Sequence, residues 1–152
     1  MTPEQRQLVA NTWKQVAPIA DTAANLFYSR LFEIDSSTRK LFRATDMVAQ
    51  RKKLVQTLAF TIGGLDNLDA LVSKVEDLGR RHAGYGVTDA QYDSVGAALL
   101  WTLEQGLGHA WTPPVAAAWT EVYHLLSGIM RNATARTERL QSVWPAPFEA
   151  AV

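Results

Sequence analysis

Three polar side chains occupy otherwise apolar helix faces, where their chemistry could serve a bound group. His82 lies four residues after Leu78 on a helical stripe, and Gln50 and Tyr28 interrupt two earlier stripes in the same way. A buried polar group without a partner costs roughly 1–3 kcal/mol. Three of them in one small core therefore need either three internal partners or one shared polar ligand.

Each residue also has an ordinary structural interpretation. A lone histidine on an apolar face is commonly a satisfied core residue or a cation at a helix end. Tyr28 could bury its ring and donate its hydroxyl to a carbonyl. Gln50 is followed by the basic residues 51–53, so it could be exposed. Taken one at a time, none of the three residues decides between a site and a packed core.

The sequence around His82 favours a role as a metal ligand. The carbonyl of Leu78, one helical turn earlier, can accept a hydrogen bond from one ring nitrogen and leave the other for a metal. Glycines on both sides remove bulk, as expected where a flat group approaches the backbone. These glycines are Gly79, Gly84 and Gly86.

A single histidine fits one kind of metal group better than others. A bare zinc-like ion needs three or four protein ligands, and neither His109 nor His124 stands at ligand spacing from His82. A single axial histidine in an apolar cage suits a haem, because the porphyrin supplies the other nitrogens.

The elements that must position these residues are predicted to be helices. Residues 2–5 and 88–91 both read as capping boxes, and residues 35–37 can cap a short turn. Residues 63–64, both glycine, end a long helix that begins at Met47. Later helices begin near Asn67 and at Thr112-Pro113, and no strand pattern is present.

These signals predict an all-α fold of six to eight helices in one domain. Residues 1–133 form the domain, and residues 134–152 are interpreted as the end of the last helix and an irregular tail. Gly84 and Gly86 are expected to break the helix that carries His82.

Composition excludes several classes of function. The chain has 152 residues, with 15 basic and 15 acidic side chains, so it lacks the basic excess that nucleic-acid binding needs. It has no cysteine, which rules out disulfides and thiolate sites. No apolar run reaches the roughly 18–20 residues of a membrane span, and the first residues lack a secretory core. A soluble cytoplasmic protein is expected.

Several segments together resemble bacterial single-domain haemoglobins and the globin half of flavohaemoglobins. The similarity covers residues 4–132, and the animal counterpart is neuroglobin, which has a histidine where Gln50 stands. The matching pieces are Leu78–Val87 around the proximal histidine, Phe27–Phe32 around a distal tyrosine, Lys40–Phe42, Ala118–Tyr123, and the distal positions Gln50 and Leu54.

The resemblance implies a globin fold around a buried haem b, held between the helices that carry Gln50 and His82. His82 is then the iron ligand, while Tyr28 and Gln50 donate to the bound gas and Leu54 acts as an apolar gate. The remaining residues expected at the cofactor are Phe42, Leu58, Leu78, Val87, Tyr92 and Val95 in the cage, and Lys53 and Arg81 near the propionates.

The position expected to carry a glutamate in flavohaemoglobins is occupied differently here. Counting along the last helix places Thr134 at the position of that glutamate. Tyr92 stands where those proteins are expected to carry the tyrosine that accompanies the glutamate. A carboxylate at that position makes the histidine more basic and favours O–O cleavage. The difference therefore favours reversible ligand binding over peroxidase-like chemistry.

The implied function is reversible binding of oxygen, and of nitric oxide or carbon monoxide, for storage, delivery or sensing by a monomer or weak homodimer. The alternative is a nitric oxide dioxygenase that depends on a separate reductase, since 152 residues leave no room for flavin and nicotinamide domains. A cofactor-free helical module is a third interpretation, against which the residues around His82 argue.

Overall fold

The chain folds as a set of α-helices. The computed structural model describes residues 1–84 and 86–143, with side chains for all of these except residues 83, 84 and 134–143. The helices are α1 (Pro3–Val16), α2 (Ala20–Ile34), α3 (Met47–Gly63), α4 (Leu68–Gly84), α5 (Asp89–Leu107) and α6 (Pro113–Val143). Short 3₁₀ segments span Ala17–Ile19, Ser36–Phe42 and Gly108–Ala110. No strand occurs in the described ranges, and the predicted all-helical fold is confirmed.

The helix starts lie where the capping residues place them. Thr2 Oγ1 accepts from the backbone N–H of Gln5 at 3.1 Å, and the Gln5 side chain accepts from the Thr2 N–H at 3.0 Å. Thr88 and Gln91 form the same reciprocal pair before α5. Each box satisfies two N–H groups that the helix leaves without an internal partner.

The segments around α3 also have the predicted boundaries. Asp35 accepts from the Ser37 N–H and caps the 3₁₀ segment Ser36–Phe42. Gly64 follows the last residue of α3, and its N–H donates back to carbonyls of the final turn. After α4, Gly86 has a φ of +78°, a left-handed conformation that favours glycine, so it turns the chain toward α5.

Trp119 on α6 lies at the centre of the core. Its side chain is 0% exposed, and its indole N–H donates to Thr12 Oγ1 on α1 at 2.9 Å. The Thr12 hydroxyl in turn donates to the Leu8 carbonyl at 2.7 Å. The first helix is thereby fixed to the last by a buried polar contact as well as by apolar packing.

The last helix continues beyond the predicted domain boundary at residue 133. Its backbone is helical to Val143, whereas residues 144–152 of the predicted tail lie outside the described residues. Residues 134–143 contain neither glycine nor proline, so nothing in that segment ends the helix. Among the described residues no helix is both long and apolar enough to cross a membrane.

Gly79 has a different role from the one predicted. A Cβ at this position would lie 2.7 Å from both the Cα and the carbonyl oxygen of Met130, and 3.1 Å from the Cβ of Ala133. The glycine therefore allows α4 to approach α6 closely, one turn before His82. The expectation that it makes room for a flat group was wrong at this residue.

Gly79→Ala is expected to lower the free energy of unfolding by about 1–3 kcal/mol, because the added methyl overpacks the α4–α6 contact. Urea denaturation measures the change. Gly128→Ala on α6 is the matched control, since a Cβ there meets nothing within 4 Å. That variant should gain up to about 1 kcal/mol from helix propensity. An equal change in the free energy of unfolding in the two variants would contradict the assignment of Gly79 to a close contact between α4 and α6.

Candidate functional site

Tyr28 and Gln50 meet in the structure although 22 residues separate them. Tyr28 lies on α2 and Gln50 in the first turn of α3, and Gln50 Nε2 donates to the Tyr28 hydroxyl oxygen at 3.1 Å. Tyr28 is 6% exposed and Gln50 is half-buried. Because the hydroxyl accepts from Gln50, its own proton remains the one that can be donated elsewhere.

Aromatic rings surround the Tyr28 side chain. Phe27 and Phe42 present edge-to-face contacts with centroids 4.9 and 5.4 Å away, and Phe32 lies at 6.2 Å. This apolar environment penalises the phenolate, so burial raises the pKa of Tyr28 to about 12 despite the hydrogen bond from Gln50. The hydroxyl is therefore protonated at neutral pH and can act as a donor.

His82 has the backbone hydrogen bond that its spacing predicts. Its Nδ1 lies 2.8 Å from the Leu78 carbonyl oxygen one turn earlier on α4, so this nitrogen donates and Nε2 is the ring position that can ligate. Burial lowers the pKa of His82 below its ordinary value, and the neighbouring charge of Arg81 acts in the same direction. The imidazole is neutral at neutral pH, as a metal ligand must be.

The chain immediately after His82 is held by its own backbone. The Val87 N–H donates to the His82 carbonyl at 3.3 Å across the turn at Gly86. Tyr92, in the first turn of α5, stacks near the imidazole with centroids 6.5 Å apart and planes 28° apart. The predicted residues Leu78, His82 and Tyr92 thus form one group.

Leu54 and Leu58 lie on α3 beside a small apolar crevice. The crevice has a volume of about 20 Å³. It is lined by Trp13, Val16, Ala20, Ala23, Ala24, Phe27, Leu54, Val55, Leu58, Leu99, Thr102 and Leu103. The gate role predicted for Leu54 stays a prediction, since the contacts show only that it faces apolar space next to Phe27.

The other predicted cage residues share an intermediate degree of burial. They pack against the core while retaining exposed apolar surface. They are Phe42, Leu78, Val87 and Val95. Lys53 and Arg81, the predicted propionate partners, are both exposed. Their assignment stays a prediction, because a basic residue on an exposed helix face is common.

Two residues near Tyr92 were not predicted. Tyr123 donates its hydroxyl to the Tyr92 carbonyl, and burial raises its pKa above the ordinary value. Arg131 places its guanidinium carbon 5.2 Å from the centroid of the Tyr92 ring and pairs with Asp93 at 2.8 Å. Both partners lie more than 30 residues from Tyr92 in the chain, so no local spacing indicates them.

Comparison with protein families gives a match over most of the helical region. A family model described as Globin matches residues 25–130, which include Tyr28, Gln50 and His82. Neuroglobin from Chaenocephalus aceratus is 25% identical over 149 residues, covering 90% of this chain and 94% of that protein. Neuroglobin from Dissostichus mawsoni has the same identity and coverage.

Two further similar proteins differ in kind from these neuroglobins. A flavohemoprotein from Vibrio cholerae is 28% identical over 147 residues, which cover 94% of this chain but 37% of that protein. The crystal structure of a hexacoordinated heme protein from an anhydrobiotic tardigrade superimposes with a TM-score of 0.80 at 16% identity, covering 89% of this chain and 96% of that one. The structural likeness shows the fold of the chain.

Proposed function

The chain belongs to the globin family, and we propose that it holds haem b through His82 and reversibly binds oxygen and other diatomic gases, for storage, delivery or sensing. The observation that carries the proposal is the partly buried Gln50–Tyr28 hydrogen bond, which joins two donors on different helices. Two donors placed together in this way can hydrogen-bond a polar ligand that enters an otherwise apolar pocket.

The residues present fit a haem. The His82 ring is oriented by its Nδ1 hydrogen bond to Leu78, which is how ligating histidines are usually held. A single imidazole would be enough to hold the iron of a haem, because the porphyrin supplies the other nitrogens. Phe42 and Val95 keep apolar surface that a flat apolar group could cover. When bound, haem supplies an iron that takes up a diatomic gas.

The distal residues act on the gas by hydrogen bonding. Hydrogen-bond donors would strengthen the binding of a diatomic gas that takes on partial negative charge when haem holds it. Tyr28 can donate its hydroxyl proton, and Gln50 orients it by donating one amide hydrogen to the hydroxyl oxygen. The high pKa of Tyr28 keeps that proton in place at physiological pH.

A nitric oxide dioxygenase is the second candidate, favoured by the similarity to the Vibrio cholerae flavohemoprotein. In that reaction nitric oxide, oxygen and one electron give nitrate, so each turnover needs a reductant. The chain matches only 37% of the flavohemoprotein's length. The partner proposed for this reaction is a separate reductase, and Tyr28 and Gln50 would hold oxygen in the reactive orientation.

Optical spectroscopy followed by nitric oxide consumption tests both candidates. The purified protein is expected to show a Soret band and a stable oxygenated spectrum under air. Mixing the oxygenated form with one equivalent of nitric oxide should then separate the two functions. Nitrate formed once, with no further turnover when cell extract and NADH are added, supports a carrier, and sustained turnover supports the dioxygenase.

A protein without a Soret band after reconstitution with haemin would contradict both candidates and leave the cofactor-free module.

We further propose that the protein is a cytoplasmic monomer or weak homodimer. Sedimentation velocity over a range of protein concentrations measures the association, and a stable higher oligomer would contradict it.

A further inference from the structure

We propose that Arg131 is a positioning residue for His82, acting through the ring of Tyr92; this inference rests on the proposed haem-binding function. The guanidinium lies 5.2 Å from the Tyr92 ring centroid, and the same ring stacks near the His82 imidazole at 6.5 Å. A cation on α6 thus orients an aromatic ring on α5, which orients a ligand on α4.

The position of Arg131 is itself fixed by α5. Its Nη2 donates to the Asp93 carboxylate at 2.8 Å and to the Asp89 carbonyl at 3.3 Å. The ion pair with Asp93 also raises the pKa of Arg131. The contacts with Asp89 and Asp93, both in the first two turns of α5, therefore hold the guanidinium against the ring of Tyr92. Tyr92 immediately precedes Asp93 in the chain.

Tyr123 and Arg131 constrain different parts of Tyr92. The Tyr123 hydroxyl donates a hydrogen bond to the backbone carbonyl of Tyr92. The Tyr123 ring also packs against Gly96, where a Cβ would lie 2.6 Å from the ring. That contact sets the position of the α5 backbone. The ring of Tyr92 has a cation–π contact with Arg131, and such contacts favour a particular placement of the cation over the ring face. Arg131 therefore controls ring orientation rather than helix position.

The arrangement places a cation against the ring that stacks near the proximal histidine. Arg131 lies on α6 three residues before Thr134, the position at which the family resemblance implies a carboxylate. A carboxylate would accept a hydrogen bond and make the histidine a stronger donor to iron. Arg131 restricts the Tyr92 ring, and through it the imidazole, without offering an acceptor, because a guanidinium has none.

The test is Arg131→Met in the haem-loaded ferrous protein, since methionine keeps an unbranched apolar stem and removes the cation. The iron–histidine stretching band in resonance Raman should broaden or split as His82 gains orientations. Haem transfer to an apo-acceptor should accelerate about two- to fivefold, the equivalent of a cation–π contact of ~0.5–1 kcal/mol. Asp93→Asn removes the anchor of Arg131 and should shift both readouts in the same direction, less strongly.

Arg30→Met is the matched control. Arg30 lies 4.8 Å from the Trp101 ring centroid and pairs with Glu33 at 2.9 Å. Its side chain is 33% exposed, against 34% for Arg131. Removing it deletes a cation–π contact of the same kind between α2 and α5, at a ring other than Tyr92. It should lower thermal stability modestly and leave the iron–histidine band unchanged.

A wild-type band in Arg131→Met and Asp93→Asn, with only thermal stability reduced, would overturn the proposal and make Arg131 a structural tie between α5 and α6. A wild-type protein without a Soret band would instead refute the proposed function. In that event the His82 ring signals in ¹H–¹⁵N NMR of the purified protein decide the inference. One set in the wild type and several in Arg131→Met support it, and identical spectra overturn it.

Discussion

Replacement of His82 by alanine is expected to release haem at least about 100-fold faster and to abolish the normal oxygenated spectrum. Substitutions of groups that merely orient a metal-bound histidine typically cost 10–100-fold, so loss of the ligand itself should reach or exceed the upper end. Stopped-flow transfer of haem to an apo-acceptor measures the rate. Imidazole added in solution should partly restore the spectrum by occupying the vacated ligand position.

The other two histidines serve as controls for this variant. His109 and His124 are exposed. Their alanine variants should keep the wild-type spectrum and haem retention. A normal oxygenated form in His82→Ala, together with loss of that form in either control, would show that the wrong histidine has been assigned.

Tyr28→Phe is expected to accelerate oxygen dissociation about tenfold, the equivalent of one lost hydrogen bond of ~1.4 kcal/mol. The substitution keeps the ring among Phe27 and Phe42 and removes only the hydroxyl. Carbon monoxide serves as the control ligand, because it carries less charge on its outer atom and should respond less. Equal changes for the two gases would indicate steric gating and contradict hydrogen bonding.

A double-mutant cycle separates the two distal residues. Gln50 donates to the Tyr28 hydroxyl, so part of the effect of Gln50→Leu should act through the orientation of that hydroxyl. In the Tyr28→Phe background, Gln50→Leu should therefore have a different effect from the one it has in the wild type. Strict additivity would mean that the two side chains act on the gas independently.

Features that depend on near neighbours in the chain could be predicted from the sequence. The capping boxes at Thr2 and Thr88 join residues three apart, and the His82–Leu78 bond joins residues four apart. At such spacings helix geometry alone determines which groups meet. Helix starts and the ring orientation of the candidate ligand therefore follow from residue types and their spacing.

The meeting of Tyr28 and Gln50 was only partly predictable. Spacing places both on apolar faces, and the family resemblance assigns them to one pocket. Their direct hydrogen bond spans 22 residues and depends on how α3 crosses α2, which periodicity does not determine. A shared ligand was expected to satisfy both residues, whereas the structure shows that they also satisfy each other.

Arg131 and Gly79 show where sequence reasoning fails. An arginine in a long helix resembles any solvated residue, and its contact with Tyr92 depends on the packing of α6 against α5. Gly79 was expected to make room for a flat group because it is close to His82 in the chain. Its lack of a side chain instead lets the Met130 backbone approach closely across the α4–α6 interface. Both features are properties of helix pairs rather than of single helices.

The hydrogen bond between Trp119 and Thr12 has a consequence for how the chain reaches this structure during synthesis. The two residues are 107 positions apart, so the contact closes a loop that contains most of the protein. Contacts of such long range form only after the entropy of loop closure has been overcome. During synthesis on the ribosome α1 emerges before α6. The face of α1 that is buried in the folded protein therefore stays exposed until α6 has been made. The core is therefore completed only after α6 has been synthesised and can reach α1.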